Sequence, residues 1–348
     1  MIRAFEPRDF PRVLEIWNTC VRIGEVVYFE SDQAYMERKV LGDPNHDPAC
    51  FLVYEKDGNI AGFIHGVCKK VYLPGETNEN SPGYITFVFV DPAERCRGIG
   101  SALLEAMLAE FRRRGKKTAA LCNDNPVNLD WHIPGTPGHD HNNAPGVDVE
   151  GRGYEFFLSR GFHEQDREVA MYLNLREYVP CPDLDARRQS LRSQGIETGR
   201  YDPHLGYDFD RLCDRVGSNY WRAVLASETA CHLENRPNTD IRFLPCGKVP
   251  AGPRPLLAAT CGGYLVGFTG PVDLQESGRG WFCGICTDPM FEKRGIATVL
   301  FHLLMQEFIA EGAAFSTLFT GVENHAQKIY LRAGFRPVRR FAMMSRDL

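Results

Sequence analysis

One string occurs twice in this chain, and that repetition constrains the fold more than any other feature. Residues 91–104 run from Asp91-Pro92 through Arg95-Cys96-Arg97-Gly98-Ile99-Gly100-Ser101 to Leu103-Leu104. Residues 288–301 run from Asp288-Pro289 through Glu292-Lys293-Arg294-Gly295-Ile296-Ala297-Thr298 to Leu300-Phe301, at a constant offset of 197. A second pair follows: Phe157-Leu158-Ser159-Arg160-Gly161-Phe162 aligns with Tyr330-Leu331-Arg332-Ala333-Gly334-Phe335 at an offset of 173. Two ordered motifs repeated in one chain predict one fold built twice. The fall in offset means that the first copy carries 24 additional residues between its motifs. A length of 348 residues suits two domains of ordinary size.

Composition excludes several classes. With 43% hydrophobic and 24% charged residues the chain can bury a core, unlike a disordered or collagen-like sequence. Apolar runs no longer than 84–90, and an opening Met1-Ile2-Arg3-Ala4-Phe5-Glu6 without an apolar signal core, predict a soluble, cytoplasmic protein with no membrane partner. A net charge of −5 without a basic block argues against nucleic acid as a ligand. The 12 cysteines are scattered, commonly inside apolar runs as at Cys68, Cys122 and Cys261, and read as reduced thiols. Cys283 and Cys286 fall in an expected strand, where a separation of three sends them to opposite faces and argues against a shared zinc.

Hydrophobic periodicity gives the two copies similar element orders. In the first, strands are expected at 2–5, 51–55, 60–72, 84–90, 118–122 and 168–175, with an Asp57-Gly58 hairpin turn. Helices are expected at 11–22, 32–40, 103–115 and 154–160. The second copy has expected strands at 256–261, 264–269, 281–287 and 315–319 and helices at 295–311 and 325–332. Residues 179–199, rich in proline and charge, read as a linker between a domain at 1–178 and one at 200–348.

In each copy a strand ends in Asp-Pro, a turn follows, and a helix starts directly from a Gly-Ile-Gly or Gly-Ile-Ala step. Small residues let a ligand approach the backbone, while the unpaired N–H groups and the dipole of the first helical turn favour an anion such as pyrophosphate. The paired strings resemble the GNAT superfamily of acyl-CoA N-acyltransferases, in its tandem two-domain form, whose signature is Arg/Gln-x-x-Gly-x-Gly/Ala after the fourth strand. Arg95, Gly98 and Gly100 fit it fully; Gly295 and Ala297 fit it, with Glu292 in place of the Arg/Gln. The resemblance implies two mixed α/β domains, each a central, mostly antiparallel, twisted sheet flanked by helices. It implies acetyl-CoA as co-substrate, with its pyrophosphate on Arg95 to Ser101 and on Lys293, Arg294, Gly295, Ile296, Ala297 and Thr298. It also implies pantetheine held by the main chain near Phe89 and Val90 and near Ile285 and Cys286.

The second family motif, Asn-x-x-Ala/x-x-x-Tyr-x-x-x-Gly-Phe, is matched by Asn324, Ala326, Tyr330, Gly334 and Phe335. The resemblance makes Tyr330 the candidate general acid for the leaving thiolate and favours the second copy as the catalytic half. In the first copy Phe157 takes that position, with Tyr154 nearby. A half-buried aromatic packing its helix is the competing reading of Tyr330.

Residues 123–150 lack Lys and Arg but contain Asp124, Asp130, Asp140, Asp148 and Glu150 with His132, His139 and His141. A loop this long is a lid over a cationic acceptor, a metal site at His139-Asp140-His141, or a solvated loop. Glu30, His65, Glu228 and His232 are candidate general bases, and Tyr220-Trp221 either lines an acceptor site or packs in the core. The expected activity is N-acetyl transfer to a primary amine of a small molecule or peptide by a monomer or homodimer, without a metal. The alternative is a non-catalytic acyl-CoA-binding sensor with degenerate sites.

Overall fold

The computed structural model describes every residue except 73–75, 142–143, 241–242 and 245–248. Its contacts divide it into a first unit, Met1–Val169 with Arg339–Leu348, and a second, Ala170–Val338.

The first unit is organised by a sheet buried on both faces. Strand β1 (Ile2–Ala4) lies antiparallel to β2 (Phe51–Lys56), which the Asp57-Gly58 turn joins to β3 (Asn59–Cys68). Both turn residues have positive φ, 50° and 80°, as a tight two-residue hairpin requires. Antiparallel to β3 runs β4 (Gly83–Val90), and β5 (Thr118–Leu121) is parallel to β4. On one face lies α1 (Phe10–Arg22): Phe10, Val13, Ile16, Trp17 and Cys20 recur at helical spacing and cluster with Phe63, Tyr84, Phe87 and Phe89. The short α2 (Gln33–Met36) adds Met36 to the same cluster. On the other face, Leu103, Leu104, Met107, Leu108 and Phe111 of α3 (Ile99–Arg113) cluster with Ile64 and Ile85. This two-sided burial explains why β3 reads as an almost unbroken apolar run. The unit also contains β6 (Val147–Asp148), α4 (Arg152–Leu158) and the start of β7 (His163–Asn174).

The second unit contains α5 (Leu184–Ser193), β8 (Glu197–Arg200), α6 (Asp210–Val216) and α7 (Asn219–Leu233). These are followed by β9 (Leu257–Cys261), β10 (Tyr264–Thr269), β11 (Arg279–Trp281) and β12 (Ile285–Thr287). The last elements are α8 (Ile296–Ala310), β13 (Phe315–Gly321) and α9 (Gln327–Arg332). Strands β12, β10, β9 and β8 form an antiparallel sheet in that order, while β11 pairs in parallel with β13. The single strand expected over 281–287 is two short ones, β11 and β12, interrupted at Gly284 with φ 153°.

The kinship of the copies reaches beyond the repeated strings. A Cβ on Gly62 would lie 2.8 Å from the Phe89 carbonyl oxygen, and one on Gly267 would lie 3.0 Å from that of Cys286. A Cβ on Gly83 would sit 2.4 Å from the Phe111 ring, and one on Gly280 2.5 Å from the Phe308 ring. Arg12 pairs with Asp91 as Arg215 pairs with Asp288.

The compact units depart from the boundaries read in chain order. The segment 179–199 contains α5 and all but the last residue of β8, and Leu191 and Ile196 are buried. Residues 339–348 of the final strand, β14 (Arg336–Asp347), belong to the first unit: Met344 to Asp347 pair with Leu121 to Thr118 of β5, and Phe341 and Ala342 pair with Asp148 and Val147. Without them β5 would present an open edge, which sheets avoid. No described helix is long and apolar enough to cross a membrane, and none of the described cysteines forms a disulfide.

Two outcomes follow from this packing. Deleting residues 339–348 removes the partner of β5 together with the buried Phe341, Ala342 and Met344; Phe341→Ala alone should cost about 3–5 kcal/mol. Limited proteolysis should then cut within residues 1–169 of the truncated chain, and an unchanged digestion pattern would contradict the assignment. His65, 0% exposed against Phe51 and Phe87, has its pKa pushed down to about 3 by burial. A folded-state value below the unfolded one means that the unfolded chain binds the proton first, so this contribution to stability falls as pH drops from about 6.5 towards 3, by up to about 1.4 kcal/mol per unit. His65→Phe should flatten the urea midpoint between pH 7 and 5 relative to the parent chain, and an unchanged slope would refute this.

Candidate functional site

The loop after β4 is shaped by its backbone. Asp91 accepts a hydrogen bond from the Ala93 N–H at 2.9 Å, Arg95 is extended, and Cys96 and Gly98 take φ of 60° and 79°. The Ala102 N–H to Gly98 carbonyl bond, 2.9 Å, is the first of α3, leaving the N–H groups of Ile99, Gly100 and Ser101 without intrahelical acceptors. The second copy repeats this. Asp288 accepts from Met290 N–H at 2.9 Å, Lys293 and Gly295 take φ of 62° and 88°, and Val299 N–H bonds the Gly295 carbonyl at 3.1 Å. Ile296, Ala297 and Thr298 therefore stand as Ile99, Gly100 and Ser101 do. Both copies offer aligned donors at the positive end of a helix dipole, which suits an anion.

A large cavity adjoins the first loop. β4 and β5 pair only at Gly83 with Ala119 and Tyr84 with Ala120, and beyond Ile85 a cavity of about 480 Å³ opens between β4 and the end of β5. Its lining includes Tyr28, Thr86 and Asn125, Leu121 and Cys122, the loop and helix start at Gly98, Ile99, Gly100 and Ser101, and Phe156 and Arg160 of the α4 region. Phe89 and Val90 line it, as do Arg95 and Cys96. Arg95 is a brace within the loop: its guanidinium pairs with Glu25 and donates to the Val90 carbonyl and the Cys20 Sγ, each at 3.3 Å. Arg97 pairs with Glu94 at 2.7 Å. Phe157 lines the cavity, whereas Tyr154 does not, its hydroxyl donating to Glu164.

Sequence reasoning missed Thr86 and Asn125 in this lining. His65 pairs with Phe87 but Gly66 pairs with Ile85, so Thr86 is an extra residue bulged out of β4. Asn125 bridges to it, its amide donating to Thr86 Oγ1 at 3.2 Å and the Ile85 carbonyl at 3.4 Å. A signal existed: Tyr84 and Phe87 both join the α1-side cluster, and an odd spacing places two residues on one face only across a bulge. Burial pushes the Tyr28 phenol up to about 12 and the Cys122 thiol up to about 11, so both carry their protons at neutral pH.

The second copy differs at the corresponding place. Phe282 stands where the first copy has Ile85, and its ring lies against Phe301 and Tyr330 at 5.9 and 5.8 Å. Tyr330 is 3% exposed, packed also against Phe335, and its burial raises the phenol pKa. Asn324 accepts from the Ala326 N–H at 2.9 Å, capping the turn into α9. Ile285 and Cys286 pair with Thr269 and Phe268 of β10.

The other candidates lie outside the cavity. Glu30 pairs with Arg22 at 3.1 Å; His65 is sealed in the core beside His46. Glu228 is buried against Arg254 and accepts from Asn238 at 2.7 Å, and His232 Nε2 lies 2.8 Å from the Arg254 carbonyl. Trp221 packs on Phe268, and Tyr220 on Phe243. In the insertion, Val127, Leu129, Trp131 and Ile133 are buried, and Trp131 stacks on His141 at 5.0 Å. Among the described residues no group of three or more His, Cys, Asp or Glu side chains could hold a metal ion.

Comparison with known proteins follows the same lines. The sequence model of the acetyltransferase (GNAT) family matches residues 10–132 and 221–335. A GCN5-related glucosamine N-acetyltransferase region of a fungal multi-domain GH3 β-N-acetylglucosaminidase aligns over 99% of this chain with a TM-score of 0.63 at 15% identity, and the chain spans 38% of that protein. A GCN5-related N-acetyltransferase from Sphaerobacter thermophilus aligns over 100% of this chain and 95% of its own, with a TM-score of 0.58 at 14% identity. A tandem GNAT protein from the clavulanic acid biosynthesis pathway aligns over 100% and 98%, with a TM-score of 0.54 at 13% identity. The repeated loop, the mixed α/β units and the two matched regions together place the chain in the GNAT acetyltransferase family, as a tandem of two GNAT domains.

Proposed function

We propose that this chain transfers an acyl group, acetyl first among them, from acyl-CoA to a primary amine of a small molecule or peptide, and that the donor occupies the first unit. The observation that carries this reading is one cavity in which unpaired helix N–H groups adjoin the parted edge of β4. Pyrophosphate would sit on Ile99, Gly100 and Ser101. The amides of pantetheine would pair with the open edge of β4 near Phe89 and Val90 as an added strand does. The thioester would then reach the bulge at Thr86, whose side chain Asn125 fixes.

In a ternary complex the amine nitrogen attacks the thioester carbon, the C–S bond breaks, the nitrogen loses a proton to water or a base, and the sulfur takes one up. Main-chain N–H groups at the bulge would stabilise the developing oxyanion. Phe157 has no proton to give, but Tyr28 and Cys122 in the same cavity do. On this reading Tyr330 packs the second unit and takes no part in turnover. The presence of Phe157 where the family pattern has tyrosine favours one competing reading, an acyl-CoA-binding sensor without turnover.

Ser101→Asp tests the placement, because an acid at the start of α3 suits the helix dipole but repels phosphate. It should weaken acetyl-CoA binding at least about tenfold and lower thiol release to match, whereas Thr298→Asp and Tyr330→Phe should leave both within about twofold of the parent. Loss of activity in the second pair with retention in the first would move the reaction to the second unit. Thiol release from acetyl-CoA across a panel of amines separates enzyme from sensor: tight binding with no release for any amine would establish the sensor.

A further inference from the structure

Four arginines border the first phosphate loop, and three of them are paired to carboxylates. Arg95 and Arg152 share Glu25, the latter at 3.1 Å, and Arg97 takes Glu94. Arg160 pairs with no carboxylate among the described residues. Its Nε and Nη2 donate to Ser101 Oγ at 2.9 and 2.5 Å, and its Nη1 donates to Ser159 Oγ at 2.6 Å and the Phe156 carbonyl at 3.1 Å. The guanidinium lies over the Phe156 ring, 4.1 Å from its centroid, and lines the cavity. It is thereby fixed against the first turn of a 15-residue helix, the end at which the helix dipole opposes a cation. All its acceptors are neutral, so only an anion arriving in the cavity would balance the charge.

The second copy shows that the fold does not demand this arginine. Its loop has the same backbone turn, yet Ala333 stands where the first copy has Arg160 and Thr298 where it has Ser101. Ala333 is fully buried there, and a guanidinium beside that loop is that of Arg187, whose Nη1 lies 3.9 Å from where a Cβ on Gly295 would be. Arg160 therefore belongs to what the first copy binds.

Resting on the acyl-CoA reading above, we propose that Arg160 recognises the 3′-phosphate of the donor and makes the first unit selective for CoA over a donor lacking that group. The remaining anion of the donor argues for this assignment. With pantetheine on the parted strands and pyrophosphate on the loop N–H groups, the phosphate monoester is the charge left to match, and Arg160, joined to Ser101 at the end of that loop, is the cation left to match it. A phosphate monoester carries close to two negative charges and offers the acceptors that a guanidinium fork matches.

Calorimetric titration of the full chain with CoA and with 3′-dephospho-CoA tests the assignment. The parent protein should bind CoA at least about tenfold tighter. Arg160→Ala, the residue the second copy carries, should bring the two affinities within about twofold by weakening CoA alone, with dephospho-CoA affinity and Tm nearly unchanged. Arg160→Lys should retain part of the preference and keeps the test open should the alanine variant fold poorly. Equal loss for both ligands would mean that Arg160 only positions α4, and a parent protein without preference would likewise overturn the proposal while leaving the acyl-CoA reading intact. A parent protein that binds neither nucleotide would overturn that reading as well.

Discussion

Strands β4 and β5 exchange hydrogen bonds at Gly83 and Tyr84 and then separate, and the first unit is built around keeping them apart. An open strand edge inside a protein leaves N–H and C=O groups that must find partners. Here the cost is contained by position. Phe87 and Phe89 anchor β4 against Trp17, whose ring centroid is 5.3 and 4.5 Å from theirs, while Asn125 ties the bulge to the segment that follows β5. Gly83 matters to the same geometry, because only hydrogen leaves room for the Phe111 ring at the point where the strands still touch. The cleft is thus held open by packing on both faces of the sheet, and a ligand entering it meets backbone groups already oriented.

The second copy keeps the same plan at its loop with other side chains around it. Its loop keeps the positive φ at Lys293 and Gly295, its Asp288 keeps the turn, and Gly280 keeps the same relation to Phe308. What changed are side chains: Phe282 for Ile85, Ala333 for Arg160 and Glu292 for Arg95. Two copies that share a backbone and differ in these residues separate the demands of folding from those of binding. What both retain turns a strand into a helix, and what differs changes the side chains around that turn, the Arg95 brace among them.

This separation also explains what could be read from sequence. The repeat, the hairpin at Asp57-Gly58 and the stripes of α1 and α3 were legible because each is a local pattern with a fixed period. The membership of 339–348 in the first unit was not, since its partner β5 lies more than two hundred residues away and nothing in Phe341 to Asp347 names it. The bulge at Thr86 was legible in principle through the spacing of Tyr84 and Phe87, but a strand reading that assumes strict alternation passes over it. Tyr330 satisfies a motif, but a motif does not name its neighbours, Phe282, Phe301 and Phe335. Arg160 was hidden for the opposite reason: the repeated string contains it, but its lack of a carboxylate partner exists only in three dimensions.

The insertion gives the asymmetry a structural cause. Thirty residues separate β5 from α4, whereas five separate β13 from α9. Acidic and histidine-rich, the longer connection reads as a solvated loop or a lid, but Val127, Leu129, Trp131 and Ile133 alternate as a strand does and are buried. Asn125, Val127 and Leu129 form one wall of the cavity, and Val147 and Asp148 form part of another while pairing with the C-terminal strand. The additional chain therefore does more than cover a site that would exist without it: it supplies walls for the cleft that β4 and β5 leave open. In the second copy five residues stand at this place, and Phe282, at the position of Ile85, lies against Phe301 and Tyr330. The length of the longer connection therefore accounts for the walls that the cavity of the first unit has at Asn125, Val127 and Leu129.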